Sequence, residues 1–156
     1  MEEELRVRKI RNGTVIDHIS AGSALDVLKL LGVTGKEGYT MSISLNVPSP
    51  KHEKKDIIKI EERMLDPREM DLITIVSPAA TINIIKNYTV VDKKRVEVPD
   101  TAIKHHIRCI NPNCISNGSE PITSLLYVVQ KKPLHLRCKY CDQVIDQKQI
   151  MSLLVH

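Results

Sequence analysis

An α+β chain in two parts is what the sequence predicts, on three observations. Over the first two thirds the apolar pattern changes period in the order strand, helix, strand, strand, helix, strand. That order packs as two helices on one face of a mainly antiparallel sheet. From Asp92 the pattern gives way to charge and proline, as in Lys93-Lys94-Arg95 and Pro99-Asp100. All four cysteines fall in the last third, as C-x4-C (Cys109, Cys114) and C-x2-C (Cys138, Cys141). The first part, residues 1–96, is therefore expected to be a ferredoxin-like domain. The second, residues 97–156, is expected to be a small all-β, zinc-ribbon-like domain, with the linker near 94–101.

Each element has a local reason. Leu5 to Ile10 is a candidate strand before the turn at Gly13, and Thr14 to Ile19 reads as the strand after it. Ser20 or Ser23 is placed to cap a helix to about Leu31, with Ala24, Leu25, Leu28, Leu31 and nearby Val27 on one apolar face and Gly32 at its end. Tyr39 to Val47 alternates most cleanly: Tyr39, Met41, Ile43, Leu45 and Val47 are expected to form one buried face. Pro48-Ser49-Pro50 stops that strand, and Asp56 to Glu62 supplies the next. Asp66-Pro67-Arg68-Glu69 opens a short helix with a capping box. Leu72 to Val76 then reads as β-rich and Pro78 stops it. Ala80 to Lys86 and Thr89 to Val96 are the closing strands.

In the second part Ile103 to Arg108, Leu125 to Gln130, Leu134 to Arg137 and Ile150 to Val155 read as strands. Asn111-Pro112-Asn113, Asn117-Gly118 and Lys132-Pro133 mark turns. So short a domain lacks a comfortable core without a staple. Four thiolates in two close pairs suit tetrahedral zinc, and four sulfur ligands leave no position for water or substrate. The site is therefore expected to hold one structural zinc per chain. Two disulfides, or a redox pair at Cys138-Lys139-Tyr140-Cys141, are the competing readings. The acidic start Met1-Glu2-Glu3-Glu4 carries no signal peptide pattern, so a reducing cytoplasm is expected and disulfides are disfavoured.

Composition bounds the rest. The chain has 156 residues, a formal net charge of +4, and aromatics at only 3% with no Phe or Trp. No apolar run approaches the ~20 residues of a membrane span. A mild basic excess suits anionic ligands, but the missing aromatics argue against base stacking on single-stranded nucleic acid. No Gly-x-x-x-x-Gly-Lys loop is present, so P-loop hydrolysis has no support. Asp17-His18 alone reads more often as a satisfied strand end than as a ligand pair, and Lys59 on an alternating strand reads as solvent-facing. His105-His106 precede Cys109 but are superfluous once four cysteines fill the shell.

Several segments together resemble a known family: Gly-Thr-Val-Ile-Asp-His-Ile (13–19), Asp-Ile-Ile-Lys-Ile-Glu (56–61), Ala-Thr-Ile-Asn (80–83), Asn-Tyr-Thr-Val-Val (87–91), Cys-Ile-Asn-Pro-Asn-Cys-Ile-Ser (109–116) and Cys-Lys-Tyr-Cys (138–141). In this order, and in two parts, they resemble the regulatory chains of aspartate carbamoyltransferase from about Val7 to Leu154. The resemblance implies a non-catalytic subunit. It implies CTP and ATP as allosteric effectors in the first domain, bound by Ile10, Asp17, His18, Lys55, Lys59, Asn83, Ile85, Tyr88, Val90 and Lys93. His18 and Lys93 would meet phosphates, and backbone groups of Ile10 and Tyr88 the base edge. It further implies a zinc domain that docks on a catalytic chain, a second regulatory chain as homodimer partner, and no nucleic-acid or membrane partner. Asn111, Asn113, Lys139, Tyr140 and Asp142, on the zinc-held turns, are the candidates for the catalytic-chain contact. A zinc-ribbon nucleic-acid binder is the alternative from another class; its binding would fall steeply with salt.

Overall fold

The computed structural model describes residues 9–50, 53–95, 102–104, 107–131 and 133–154, with only the backbone at 102–104 and 154. The expected strand from Leu5, the His105-His106 pair and most of the expected linker lie outside the described residues. The chain divides into two compact units, Met1–Glu97 and Val98–His156.

The first unit is a five-stranded antiparallel sheet. Its elements are β1 (Gly13–Ser20), α1 (Ala24–Leu30), β2 (Met41–Pro48), β3 (Lys54–Glu61), α2 (Pro67–Val76), β4 (Thr81–Lys86) and β5 (Thr89–Arg95). The strand order is β2-β3-β1-β4-β5. This is the ferredoxin-like order with β5 added at one edge. Ile16, Ile58, Ile60 and Ile82 on one sheet face are fully buried, as are Ala24, Val27 and Ile73 from the helices, whereas Leu25, expected on the buried face of α1, is 56% exposed because it lies off the Ala24–Val27–Leu28 stripe.

The helix ends follow from local chemistry. Gly32 (φ 68°) and Val33 return their N–H groups to Lys29 and Leu28, which closes α1 with a left-handed glycine. At the start of α2, Asp66 accepts from the Glu69 N–H at 2.8 Å and Glu69 accepts from the Asp66 N–H at 3.2 Å. The expected strand-like run at Leu72 to Val76 is helical instead. Its β-branched residues Ile73, Thr74, Ile75 and Val76 are all buried, so core packing overrides their β propensity on a helix already nucleated by its cap.

Gly13 has a steric reason for being glycine. Its φ is 144°, and a Cβ there would lie 2.1 Å from the Ile60 carbonyl oxygen. Gly13→Ala should therefore disrupt the β1–β3 pairing and lower stability by about 2 kcal/mol or more. A denaturant titration that finds a change within experimental error would refute this.

The clean alternation of β2 does not give a buried face. Ile43 is 39% exposed, Leu45 47% and Tyr39 40%. Ile43 pairs with Ile58 and so shares the core-facing side. As the outermost strand, however, β2 carries this stripe to the sheet edge, where it stays exposed in the isolated unit.

The second unit contains a four-stranded antiparallel sheet: β6 (Ala102–Lys104), β7 (Leu125–Gln130), β8 (His135–Cys138) and β9 (Val144–Ile145). The expected strand at Ile150 to Val155 is replaced by α3 (Gln147–Leu154). Asp146 and Gln149 exchange N–H and side-chain oxygen contacts at 2.9 and 3.0 Å. That reciprocal pair is a capping box, and it starts the helix. Its Ile150 is fully buried, as are Leu126, Leu134, Leu136 and Ile145.

Candidate functional site

The sheet face away from the helices of the first unit gathers most of the expected ligand residues. Lys59 pairs with Val15, Val15 with Asn83, and Asn83 with Lys93. Paired residues project to the same face, so Lys59, Asn83 and Lys93 form one row across four strands, about 14 Å long at the usual strand spacing. Ile85 and Val90 pair with each other one step along the same face. Ile85 is buried and Val90 exposed.

A bulge in β1 prepares the anionic end of this face. Between Ile16 and Ile19 that strand carries one extra residue against β3. His18 takes up the slack at φ 56°. Such bulges re-aim side chains. Here the Asp17 carboxylate accepts from the His18 N–H at 2.6 Å and from Lys55 Nζ at 2.9 Å. Burial opposes the Asp17 carboxylate, but Lys55, the His18 N–H and their charges outweigh it and hold its pKa below the ordinary value. Desolvation lowers the Lys59 pKa, against the pull of Asp17. The His18 side chain is about half exposed.

Of the expected base-edge residues, Ile10 and Tyr88 differ in exposure. Ile10 is buried, whereas Tyr88 is exposed in the two-residue turn between β4 and β5. Asn87 and Tyr88 both have positive φ, 51° and 65°. That is ordinary for Asn but strained for Tyr. Two contacts hold the turn: the Tyr88 N–H donates to the Arg11 carbonyl at 3.0 Å, and the Asn87 N–H donates to Asn12 Oδ1 at 3.2 Å. The Tyr88 N–H is therefore engaged within the chain.

One residue that sequence reasoning missed supports the bulged end of the sheet. Asp56 is fully buried next to Lys55. Its carboxylate accepts from the Gly22 and Ala24 N–H groups at 2.9 and 3.0 Å, and from the Asn46 N–H at 2.9 Å. The Ser23 side chain makes no cap contact, so β3 supplies the acceptor for the first turn of α1. No local motif announces this, because the three donors come from two other segments.

In the second unit Cys109, Cys114, Cys138 and Cys141 converge with every sulfur within 4.8 Å of the others. Cys109 and Cys141 lie 3.5 Å apart, and Cys114 and Cys138 lie 3.7 Å apart. A disulfide needs about 2.05 Å. A tetrahedron of thiolates at 2.3 Å from a central ion has edges of about 3.8 Å. The spacing fits a four-coordinate metal rather than two disulfides. Burial raises the Cys109 and Cys138 thiol pKa values. At Cys114 burial is outweighed by Ser116, whose hydroxyl and N–H bring the thiol down to about 7.

The turns that carry the sulfurs are tightly wired. Asn111 Oδ1 accepts from the Asn113 N–H at 3.0 Å, and the Asn111 carbonyl accepts from the Cys114 N–H at 3.0 Å. Asn111 therefore acts within the turn. Asn117, also missed from sequence, donates its amide to the Cys109 and Asn111 carbonyls, both at 2.8 Å. On the second turn Asp142 sits at φ 62° and its N–H donates to the Cys138 carbonyl at 3.0 Å. Asn113, Lys139, Tyr140 and Asp142 are exposed. So is Ile115, whose place beside Cys114 was the available signal.

Comparison with known proteins follows the same two-part division. Residues 5–97 match the family described as aspartate carbamoyltransferase regulatory chain, allosteric domain. Residues 101–151 match its metal binding domain. The chain belongs to the aspartate carbamoyltransferase regulatory chain family. It is similar to the aspartate carbamoyltransferase regulatory chain of Thermofilum pendens, 51% identical over 99% of this chain and 98% of that one. The regulatory chain of Methanothrix thermoacetophila is 51% identical over 99% of each chain. That of Saccharolobus solfataricus is 49% identical over 98% of this chain and 96% of its own. As a member of this family the chain is a regulatory subunit of an enzyme of pyrimidine biosynthesis and not a catalytic one. The tetracysteine cluster lies within the residues that match the metal binding domain. No helix among the described residues is long and apolar enough to cross a membrane.

Proposed function

We propose that this regulatory chain binds CTP and ATP on the helix-free face of its first domain, residues 1–96. It passes the effect to an aspartate carbamoyltransferase catalytic chain through its second domain, residues 97–156. The observation that carries the nucleotide reading is the cationic row. Lys59 and Lys93 flank Asn83 across the face, while the Asp17–Lys55 pair and His18 stand at the bulge. Ammonium donors suit a triphosphate, and each charge-assisted bond is worth about 1.5–3 kcal/mol. At the far end the Ile10 and Tyr88 backbone would read the base edge beside Ile85 and Val90. Carbonyl acceptors there would take the exocyclic amino group that CTP and ATP share. For regulation the effector must bind two arrangements of the assembly with different affinity.

One structural zinc per chain would be held by Cys109, Cys114, Cys138 and Cys141. It would fix the turns that present Asn113, Lys139, Tyr140 and Asp142, together with Ile115, to the catalytic chain. Asn111 would contribute by shaping the first turn. A second regulatory chain would cover the exposed apolar stripe of β2, since edge strands that lack charge invite pairing. The assembly would work in the cytoplasm.

Assembly with the catalytic chain, before and after zinc removal, tests the reading when followed by assays with CTP and ATP. Zinc-dependent assembly with a nucleotide-dependent rate supports it; no assembly with zinc present rejects it. Lys59→Ala should weaken CTP binding by about 10- to 150-fold, the value of one charge-assisted bond. Calorimetry that finds unchanged affinity would remove Lys59 from the pocket.

A further inference from the structure

We infer that Asn117 is a deamidation site guarded by the metal centre, so that loss of the metal exposes the chain to an irreversible change at its own metal turn. The inference rests on the metal reading of the four cysteines.

The sequence has two Asn-Gly steps, Asn12-Gly13 and Asn117-Gly118. Asn-Gly is the step at which an asparagine side chain most readily meets the next backbone nitrogen, because glycine places no side chain in the way. The Gly118 nitrogen attacks Asn117 Cγ. The Cγ–Nδ2 bond breaks and ammonia leaves with the nitrogen's proton, forming a cyclic imide. Water then opens the ring, giving a carboxylate in either the normal or the isomerised backbone linkage. Water is the sole co-reactant and no electron transfer is involved.

With the turn closed, the geometry opposes the first step. Both hydrogens of the Asn117 amide are engaged, on the Cys109 and Asn111 carbonyls at 2.8 Å. The attacking nitrogen is engaged as well: the Gly118 N–H donates to the Ile115 carbonyl at 3.2 Å. Asn117 itself is fixed in a 3-10 turn over Ile115–Asn117. The residues that accept from it, Cys109 and Asn111, belong to the turn that the metal would hold, so release of the metal frees the amide.

The product cannot restore the turn. A carboxylate at position 117 would present two acceptor oxygens to two carbonyl acceptors in a half-buried turn, and acceptors that face only acceptors are costly. A chain that loses its metal and then deamidates is expected to recover the ion poorly. Asn12-Gly13 provides an internal control, because it lies in the other unit, where no described cysteine is found.

The full chain, purified with its ion, would be divided and one half treated with a chelator. Both halves would be incubated, digested, and read by mass spectrometry for amide-to-acid conversion at Asn117 and Asn12. Conversion at Asn117 should be faster in the chelated half by on the order of ten-fold, the ratio expected when two hydrogen bonds no longer hold the closed form. Conversion at Asn12 should match in the two halves. A metal-sensitive dye would follow ion release. Ion released with equal Asn117 rates overturns the inference, and no ion in the purified chain overturns it together with the metal reading.

Two variants complete the test. Gly118→Ala is sterically tolerable, since its Cβ would lie 3.4 Å from the Ile115 carbonyl. It should slow conversion in the chelated chain while leaving ion retention unchanged. Asn117→Asp should lose its ion to a competing chelator at least several-fold faster than the parent, and equal retention would count against the guard.

Discussion

Removing the metal is expected to unfold the second unit while the sheet of the first stays protected. The reason is the size of the core. Among the described side chains of this unit, burial rests on a few aliphatics (Ile107, Leu126, Leu134, Leu136, Ile145 and Ile150) and the cysteines themselves. A core this small rarely stabilises a fold unaided. Binding of a structural zinc contributes on the order of 10 kcal/mol to such domains, which exceeds the net stability of most of them. Without a cation, four convergent thiols also lose their reason to converge. Hydrogen exchange before and after chelation checks this. Amides of β7, β8 and α3 should lose protection, while those of β1, β3 and β4 keep it. Cys138→Ala should behave like the chelated chain. The dependence on pH has a fixed sign: the ligands bind as thiolates, so protons compete and the ion is lost as pH falls. Retained protection in β7 and β8 after complete ion removal would show that the sheet stands without its staple.

The second large effect is expected at Asp56. Asp56→Ala leaves the N–H groups of Gly22, Ala24 and Asn46 without their acceptor at a fully buried position. Each orphaned donor costs about 1–3 kcal/mol, so a loss on the order of 5 kcal/mol is expected. Asp56→Asn should be milder, because its amide oxygen still accepts while its NH2 group faces donors. The damage should reach function, since Asp56 adjoins Lys55, which grips Asp17, and anchors the bulge of β2 at Asn46. Denaturant unfolding of the first unit measures the effect. A loss below about 1 kcal/mol for Asp56→Ala would mean that water replaces the carboxylate at all three donors.

Asp56 illustrates why part of the site was illegible. In sequence it is the first residue of an apolar run, and nothing near it signals a buried acceptor. Its partners lie at positions 22, 24 and 46, and they arrive only because β1 and β2 each carry a bulge opposite β3. The same bulge turns Asp17-His18 outward. The expected helix start at Asp66 and the helix stop at Gly32 were legible because each cap is complete within six residues. The start of α3 is equally local, in Asp146 and Gln149, but the apolar residues of Ile150 to Val155 mimic a strand. The β-rich appearance of Leu72 to Val76 misled for the opposite reason. Its β propensity is real, and burial on the helix outweighs it.

The sequence by itself determined the family and pointed to a metal site and a division into two parts. Four thiolates at C-x4-C and C-x2-C spacing permit few alternatives, and a motif series in fixed order carries ancestry without reference to contacts. Only the tertiary structure decided that Lys59, Asn83 and Lys93 share one row, that the apolar stripe of β2 remains exposed, that Asp56 joins the start of α1 to the β2 bulge, and that Asn117 braces the cysteine turn. Such facts depend on strand register and on hydrogen bonds between distant segments. A single inserted residue in a strand reverses the face of everything beyond it, so these relations exist only once the sheet has formed.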